Sequence, residues 1–202
     1  MKHIFEKGTS KDAPTLVLFH GTGGTELSLP TLAKRISPES SVLSLRGNIL
    51  ENGMPRFFRR LAEGVFDEED LILRTKEVYE FLEIAAAEYG LDRGNLVAIG
   101  YSNGANIAGS LLFHYQNVLR GAILHHPMVP RRGIKLADLS DTPIFIGAGT
   151  NDPICSAQET EELQNLLREA GASVDVHWEH FGHQLTTSEV DAAAVWFKEK
   201  LL

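Results

Sequence analysis

The sequence predicts an α/β fold in which helices cover both faces of a mostly parallel sheet of about seven strands. Three observations lead there. Along the 202 residues, short apolar runs of strand length alternate with longer segments of helical period. The strand candidates are runs of four to seven mostly apolar residues, each followed by a helix, as a mainly parallel sheet covered on both faces requires. And each chemically suggestive motif falls just after such a run, at the carboxyl end where parallel sheets bind ligands.

The strand candidates are Lys2–Phe5, Thr15–Phe19, Ser41–Leu45, Asn95–Ile99, Gly121–Leu124, Pro143–Gly147 and Ser173–Trp178. The helix candidates are Leu27–Ile36, Leu71–Tyr89, Asn103–His114, Ala157–Ala170 and Thr187–Leu201. In the second of these, Leu71, Val78, Phe81, Leu82 and Ala85 share one stripe, and Gly90 follows as a left-handed stop. Gly171 ends the fourth in the same way. No repeat or low-complexity linker divides the chain, so residues 1–202 read as a single domain without a large cap domain.

Hydrophobic residues at 43% and charged residues at 23% give an ordinary globular balance, which excludes disordered and membrane-spanning classes. The longest apolar runs, such as Thr15–Phe19, fall far short of the roughly 18 residues that span a bilayer. Met1-Lys2-His3 leads into a short strand with no apolar signal region, so a cytoplasmic location is expected. A net charge of −8 disfavours nucleic acid and anionic membrane as partners. Arg56, Arg59 and Arg60 run against that sign; they read either as a solvated or locally paired patch or as a means of steering an anionic substrate. The single cysteine, Cys155, excludes an intrachain disulfide and fits a reducing compartment. Nothing around it in sequence would lower its pKa, so it reads as a small buried hydrophobe rather than a nucleophile.

Gly100-Tyr101-Ser102-Asn103-Gly104 stands between the apolar run Leu96-Val97-Ala98-Ile99 and the helix candidate that opens at Asn103. Strand, Gly-x-Ser-x-Gly and helix together make the nucleophile elbow of an α/β-hydrolase, a strained turn that lifts a serine hydroxyl above the sheet. Gly100 and Gly104 are there because side chains would collide with the neighbouring strand and helix. Ser102 is the predicted nucleophile, but a serine hydroxyl needs a base, an orienting acid and donors for the oxyanion.

Asp152 supplies the acid: it follows the strand Ile144-Phe145-Ile146 in the loop Gly149-Thr150-Asn151-Asp152-Pro153. Asn-Asp-Pro is also good turn chemistry, but the position after Ser102 and before the base fits the chain order of the fold. Asp141 lies at the wrong end of its strand. His183, in Phe181-Gly182-His183, is the predicted base, and imidazole's ordinary pKa of about 6.5 suits that task. His177 falls inside the strand and His180 precedes the Gly182 bend. The spacing of 177, 180 and 183 suits zinc only on a helix, and this stretch is a strand running into a loop, so no metal and no cofactor is called for.

After the strand Thr15–Phe19 comes His20-Gly21-Thr22-Gly23-Gly24, which reads as the oxyanion loop. Its donor would be the N–H of Thr22, or of its neighbour Gly23, with that of Asn103 as the second. The run lacks the ending of a phosphate-binding loop and the spacing of a dinucleotide fingerprint. His20 reads as structural.

Taken together, these motifs resemble the phospholipase/carboxylesterase family of α/β-hydrolases, which includes acyl-protein thioesterases and small bacterial carboxylesterases. Arg46-Gly47-Asn48, the stretch Glu51–Arg60 and Gly-Tyr-Ser-Asn-Gly-Ala-Asn look most like a bacterial branch linked to hydroquinone and catechol stress. The resemblance implies hydrolysis of carboxylic esters with small or aromatic-derived acyl groups. His125-His126-Pro127-Met128-Val129-Pro130 departs from the Ser-Gly turn of the thioesterases, which counts against a lipidated-protein substrate. That block reads as a pocket wall, with Met128 apolar and His126 polar, or as loop filler.

The expected function is thus a serine carboxylesterase acting on a small-molecule ester, with Gly23, Met54, Phe57, Phe58 and Met128 as substrate-binding residues and a homodimer left open. Met54–Phe58 supplies apolar bulk in a loop or short lid. The alternatives are a thioesterase or lysophospholipase, a dienelactone-type hydrolase (where Ser102 in place of the usual Cys counts against it), and an idle binding module on a hydrolase scaffold.

Overall fold

In the computed structural model, which describes residues 1–202, seven of eleven strands hydrogen-bond into one sheet. They are β1 (His3–Glu6), β2 (Thr15–Phe19), β3 (Val42–Leu45), β8 (Leu96–Tyr101), β9 (Gly121–His125), β10 (Pro143–Gly149) and β11 (Ser173–Glu179). Their order is β1-β3-β2-β8-β9-β10-β11. Only β1 runs antiparallel to its neighbour. The helices are α1 (Pro30–Ile36), α2 (Glu68–Tyr89), α3 (Asn103–His114), α4 (Ala157–Glu169) and α5 (Thr187–Leu201).

The period of two along each strand sends alternate side chains to two cores. Val17, Phe19, Ala98, Leu124 and Ile146 face α2, α3 and α4, where Leu71, Val78, Ile107 and Leu163 meet them. Leu16, Leu18, Val97, Ile99 and Phe145 face α1 and α5, packing with Ala33, Val190, Ala193 and Phe197. Each fully buried aliphatic or aromatic side chain in these layers contributes about 1.5–3 kcal/mol.

Helix starts follow local chemistry. Asp67 accepts the Asp70 N–H, Ser156 that of Glu159 and Thr186 that of Glu189, each an N-cap bond. The Asp67 cap starts α2 at Glu68, ahead of the expected Leu71. Conversely, α1 starts at Pro30 rather than Leu27, because residues 25–28 close into a turn (Ser28 N–H to Thr25 O, 3.0 Å) and proline suits the first helical position. No helix is long and apolar enough to cross a membrane.

Met54–Phe58, read from sequence as a loop or short lid, begins in the first of two small ribbons and leads to the second. β4 (Ile49–Glu51) pairs with β5 (Met54–Arg56), and β6 (Arg60–Ala62) pairs with β7 (Val65–Phe66). Asn52 and Gly53, both at positive φ, make the first turn. β8 and β10 each extend two residues beyond the expected end, carrying Tyr101 and Gly149 to the rim where the motifs gather.

Candidate active site

Ser102 sits at φ 52 and ψ −116, between β8 and α3. Such a conformation costs on the order of 1–3 kcal/mol and persists only where the surroundings over-determine it. Here the Ser102 N–H donates to the His125 carbonyl at 2.9 Å, and the two glycines remove the obstacles. A Cβ on Gly100 would lie 2.6 Å from the Ala105 Cα, and one on Gly104 2.0 Å from the Phe19 carbonyl oxygen.

From Ser102 a line of hydrogen bonds runs inward. Its Oγ lies 2.8 Å from His183 Nε2, and His183 Nδ1 lies 2.7 Å from Asp152 Oδ2. The other carboxylate oxygen of Asp152 accepts the N–H groups of Ile154 (2.8 Å) and Cys155 (3.0 Å). Burial pushes the Asp152 pKa up, but those two N–H groups and His183 outweigh it and hold the carboxyl below its ordinary range. Gly182 at φ 61 bends the chain ahead of His183, and its N–H donates to Asn151 Oδ1 at 2.8 Å. The rival groups are held elsewhere: His180 bonds to Thr150 Oγ1, His177 to Glu179, and Asp141 stands before β10 at the opposite end of the sheet. The three histidines 177, 180 and 183 do not gather; the ligating atoms that do converge, within 4.8 Å, belong to His126, Asp152 and His183, and they bond to one another.

The two expected oxyanion donors in the loop after β2, Thr22 and Gly23, differ in whether the N–H is already bonded. The Gly23 N–H donates to the Pro55 carbonyl at 2.9 Å, whereas that of Thr22 has no acceptor in the chain. The Asn103 N–H opens α3, where it has no helical acceptor. His20 is buried beneath the loop, with Nε2 accepting the Gly47 N–H at 3.1 Å and Nδ1 donating to Gly21 O at 2.6 Å.

The cleft over Ser102 measures about 250 Å³, with Thr22, Arg56, Arg60, Tyr101, Asn103 and Met128 among its lining. The first turn of α3 pins Met128 in the cleft wall and the backbone that follows the lining residue Arg56: Asn106 Oδ1 accepts the Met128 N–H and Asn103 Oδ1 the Phe57 N–H, both at 2.7 Å. Of the residues expected to bind substrate, Met128 lines the cleft, while Gly23, Met54, Phe57 and Phe58 do not. Phe57 is drawn inward by its bond to Asn103 and packs on Phe19 and His20; Phe58 is fully buried against Phe66. Met54 lies over Gly23, outside the cleft. The arginine cluster is largely paired: Arg60 makes a bidentate contact with Glu51, Arg59 reaches Asp67, and buried Arg56 donates to Thr22 Oγ1 at 2.6 Å and to Phe58 O at 3.2 Å.

What the sequence reading missed lies behind Asp152. His126, at φ 52, is buried and outside the cleft rather than part of its wall. Its Nδ1 meets Asp152 Oδ2 at 2.9 Å and its Nε2 meets Glu189 Oε2 at 3.1 Å. Glu189 also binds His125 Nδ1, and a Cβ on Gly147 would lie 1.9 Å from its Oε1. Cys155 is buried, its Sγ donating to His126 O at 3.3 Å, and burial pushes the thiol pKa up, away from nucleophilic use. A sequence signal existed: His125-His126 directly follows a strand at the rim. Glu189 stands three residues after Thr186, the ordinary spacing of a helix-capping acid, so nothing local marks it out.

Residues 60–196 match the model of the dienelactone hydrolase family. Over all 202 residues, and the full length of both proteins, the chain is 56% identical to MhqD of Bacillus subtilis (strain 168), a protein named as a hydrolase. A crystal structure of a Bacillus cereus carboxylesterase is 65% identical, with a TM-score of 0.98, over 99% of this chain and 94% of that one. A structure of YahD with malic acid is 32% identical, with a TM-score of 0.94, over 98% of each chain.

Proposed function

The chain belongs to the dienelactone hydrolase family, and from that premise we propose that it is a serine carboxylesterase cleaving small carboxylic esters through an acyl-enzyme. The observation that carries this is the unbroken line Ser102 Oγ, His183 Nε2, His183 Nδ1, Asp152 Oδ2, with contacts of 2.8 and 2.7 Å. The carboxylesterase at 65% identity supports the same reading.

In this mechanism Ser102 Oγ attacks the ester carbonyl carbon while His183 Nε2 takes the hydroxyl proton. Asp152 stabilises the resulting imidazolium and fixes the ring so that Nε2 faces the serine. The carbonyl oxygen, now an oxyanion, receives the N–H groups of Thr22 and Asn103, each worth on the order of 3 kcal/mol in the transition state. His183 then returns its proton to the departing alkoxide, and the alcohol leaves. Water attacks the acyl-enzyme by the same route, releasing the acid and restoring Ser102.

The family match gives a second reading some footing, since a dienelactone is an ester closed into a ring. The same attack would open it, although serine in the elbow favours open-chain esters. A fluorophosphonate probe tests the nucleophile. It should label the wild type and leave Ser102→Ala unlabelled, and equal labelling of both would remove the esterase reading. A panel of esters, thioesters and lactones then ranks the acyl donors.

A further inference from the structure

We infer that His126 is a positioning residue for the triad, a buried imidazolium that bridges Asp152 to Glu189 and sets how tightly Asp152 holds the His183 proton. The inference rests on the esterase reading above. It starts from donors and acceptors. Both ring nitrogens of His126 face carboxylate oxygens, at 2.9 Å (Asp152 Oδ2) and 3.1 Å (Glu189 Oε2). An ionised carboxylate only accepts, so each nitrogen must carry a hydrogen, and an imidazole with two N–H groups is a cation.

The surroundings keep it so. His126 and Glu189 are buried, which alone would disfavour both charges, but each is the other's partner. Glu189 has both oxygens occupied, by His126 and by His125. Gly147 leaves the room that the carboxylate fills. The backbone also commits to this arrangement, because His126 is held at φ 52 with its N–H on Gly147 O at 2.7 Å. The other titratable groups facing His126 are few. His183 has its ring centroid 5.1 Å away, and the Tyr101 ring stands edge-on at 6.1 Å. The Cys155 thiol donates to the His126 carbonyl, and His125 precedes it in the chain. The direction of titration agrees: burial alone would lower the His126 pKa, but Glu189 and then Asp152 outweigh it and raise it, while Glu189 falls to about 2.

The consequence for the reaction lies in Asp152 Oδ2, which accepts from His126 Nδ1 and His183 Nδ1 at once. In a triad without this second imidazole, the carboxylate's charge acts on the base alone. Here a cation shares the same oxygen and offsets part of the charge that Asp152 presents to the imidazolium formed at His183. His126 also restrains the carboxylate against rotation, because Oδ2 is fixed from two sides and Oδ1 by the Ile154 and Cys155 N–H groups.

Two measurements test this, and neither needs the physiological substrate. On the wild-type enzyme, nitrogen NMR of labelled histidine at neutral pH should show one imidazole outside the titrating set with both nitrogens protonated, its signal absent in His126→Gln. A spectrum in which every histidine has an unprotonated nitrogen would overturn the inference. The second is the kcat/KM profile of Glu189→Gln with p-nitrophenyl acetate. The amide introduced by Glu189→Gln can accept from His125 and donate to a neutral His126, so the hydrogen bonds survive while the charge goes. The acid limb should move up by about half to one pH unit, the size expected of a nearby charge. An unmoved limb with a merely reduced kcat would mean a structural role only. If the wild type neither hydrolyses the ester nor takes the fluorophosphonate, it is the esterase reading that fails; the NMR result stands apart from it.

Discussion

The Tyr101 hydroxyl donates to the His183 carbonyl oxygen across 2.7 Å. This one bond ties the strand that leads into Ser102 to the loop that carries His183. The ring also stacks at a tilt on the His183 imidazole, with centroids 5.8 Å apart. Removing the hydroxyl in Tyr101→Phe takes away an interaction worth about 0.5–1.5 kcal/mol and loosens the loop. The expected result is a several-fold fall in kcat with little change in KM, read from steady-state hydrolysis of p-nitrophenyl acetate. A kcat equal to wild type would show that Gly182 and the backbone alone hold His183 in place.

Asp152 tests the orienting role most directly. In Asp152→Asn one oxygen is replaced by an NH₂ group, which cannot accept from His183 Nδ1 if the amide turns that way. The imidazole then favours the tautomer with hydrogen on Nε2, facing Ser102 and unable to take its proton. A loss of roughly 10⁴-fold in kcat is expected on that argument. An imidazolium cannot accept the serine proton, so in the wild type kcat/KM should fall toward acid pH; a profile flat from about pH 5 to 8 would remove His183 as base.

Why the primary motifs could be read and the supporting groups could not follows from how each is encoded. Ser102 and Asp152 follow buried apolar strands and His183 follows the half-exposed edge strand β11, and because these strands run parallel the sheet carries all three residues to one rim. Thr22 and Asn103 are similarly placed, and the contribution proposed for them is a backbone N–H that any side chain would leave available. Phe57 and Phe58 misled because bulk beside a site says nothing of direction. The bond from Asn103 Oδ1 to the Phe57 N–H turns that stretch inward, and no local pattern announces a contact between residues 46 positions apart. The ribbons of residues 49–66 were signalled only by Asn52-Gly53, a hairpin turn within strands of three residues. His126 and Glu189 are 63 positions apart, and their pairing depends on α5 crossing beneath the rim, which is a fact of packing.

The same pairing makes stability depend on pH in two directions. The Glu189 carboxyl has its pKa depressed from 4.5 to about 2, against burial, by its bonds to His125 and His126. Its contribution is therefore complete above the unfolded value and is lost as pH falls from about 4.5 toward 2. His126 is raised, so its contribution is complete below the unfolded value of 6.5 and is lost as pH rises through its folded pKa. Tm measured across the acid and neutral range should drop on the acid side, with a smaller decline in Glu189→Gln than in wild type. Parallel curves for the two proteins would mean that Glu189 is not the group responsible.

Gly147 is where the sheet makes way for Glu189. It lies inside β10, a position where a β-branched residue would ordinarily be favoured. A methyl group there would stand 1.9 Å from Glu189 Oε1 and 2.5 Å from its Cδ. The carboxylate is held by two histidines, so it cannot step aside without breaking a bond to one of them. Gly147→Ala should cost about 1–3 kcal/mol by overpacking and lower kcat through Asp152. Denaturant unfolding and ester hydrolysis measure the two effects, and a stability equal to wild type would show that α5 can shift freely.

Acyl-chain length follows from the size and stiffness of the cleft. Its volume is about 250 Å³, and α3 pins Met128 in its wall through Asn106 and, through Asn103, the Phe57 backbone next to the lining residue Arg56. A wall held by hydrogen bonds at 2.7 Å to a helix start does not retreat to admit a long chain. The lining is also polar on one side, with Thr22, Arg56 and Arg60, so a long alkyl tail would meet guanidinium groups or solvent. In a groove that buried the whole chain, each added methylene would contribute about 0.8 kcal/mol, a nearly fourfold gain in kcat/KM per carbon. Here that gain should stop within a few carbons. A series of p-nitrophenyl esters should peak among the short acyl groups, from acetyl to hexanoyl, and fall well before dodecanoyl. Continued growth to dodecanoyl would mean that the β4–β5 and β6–β7 ribbons move apart to open an apolar groove.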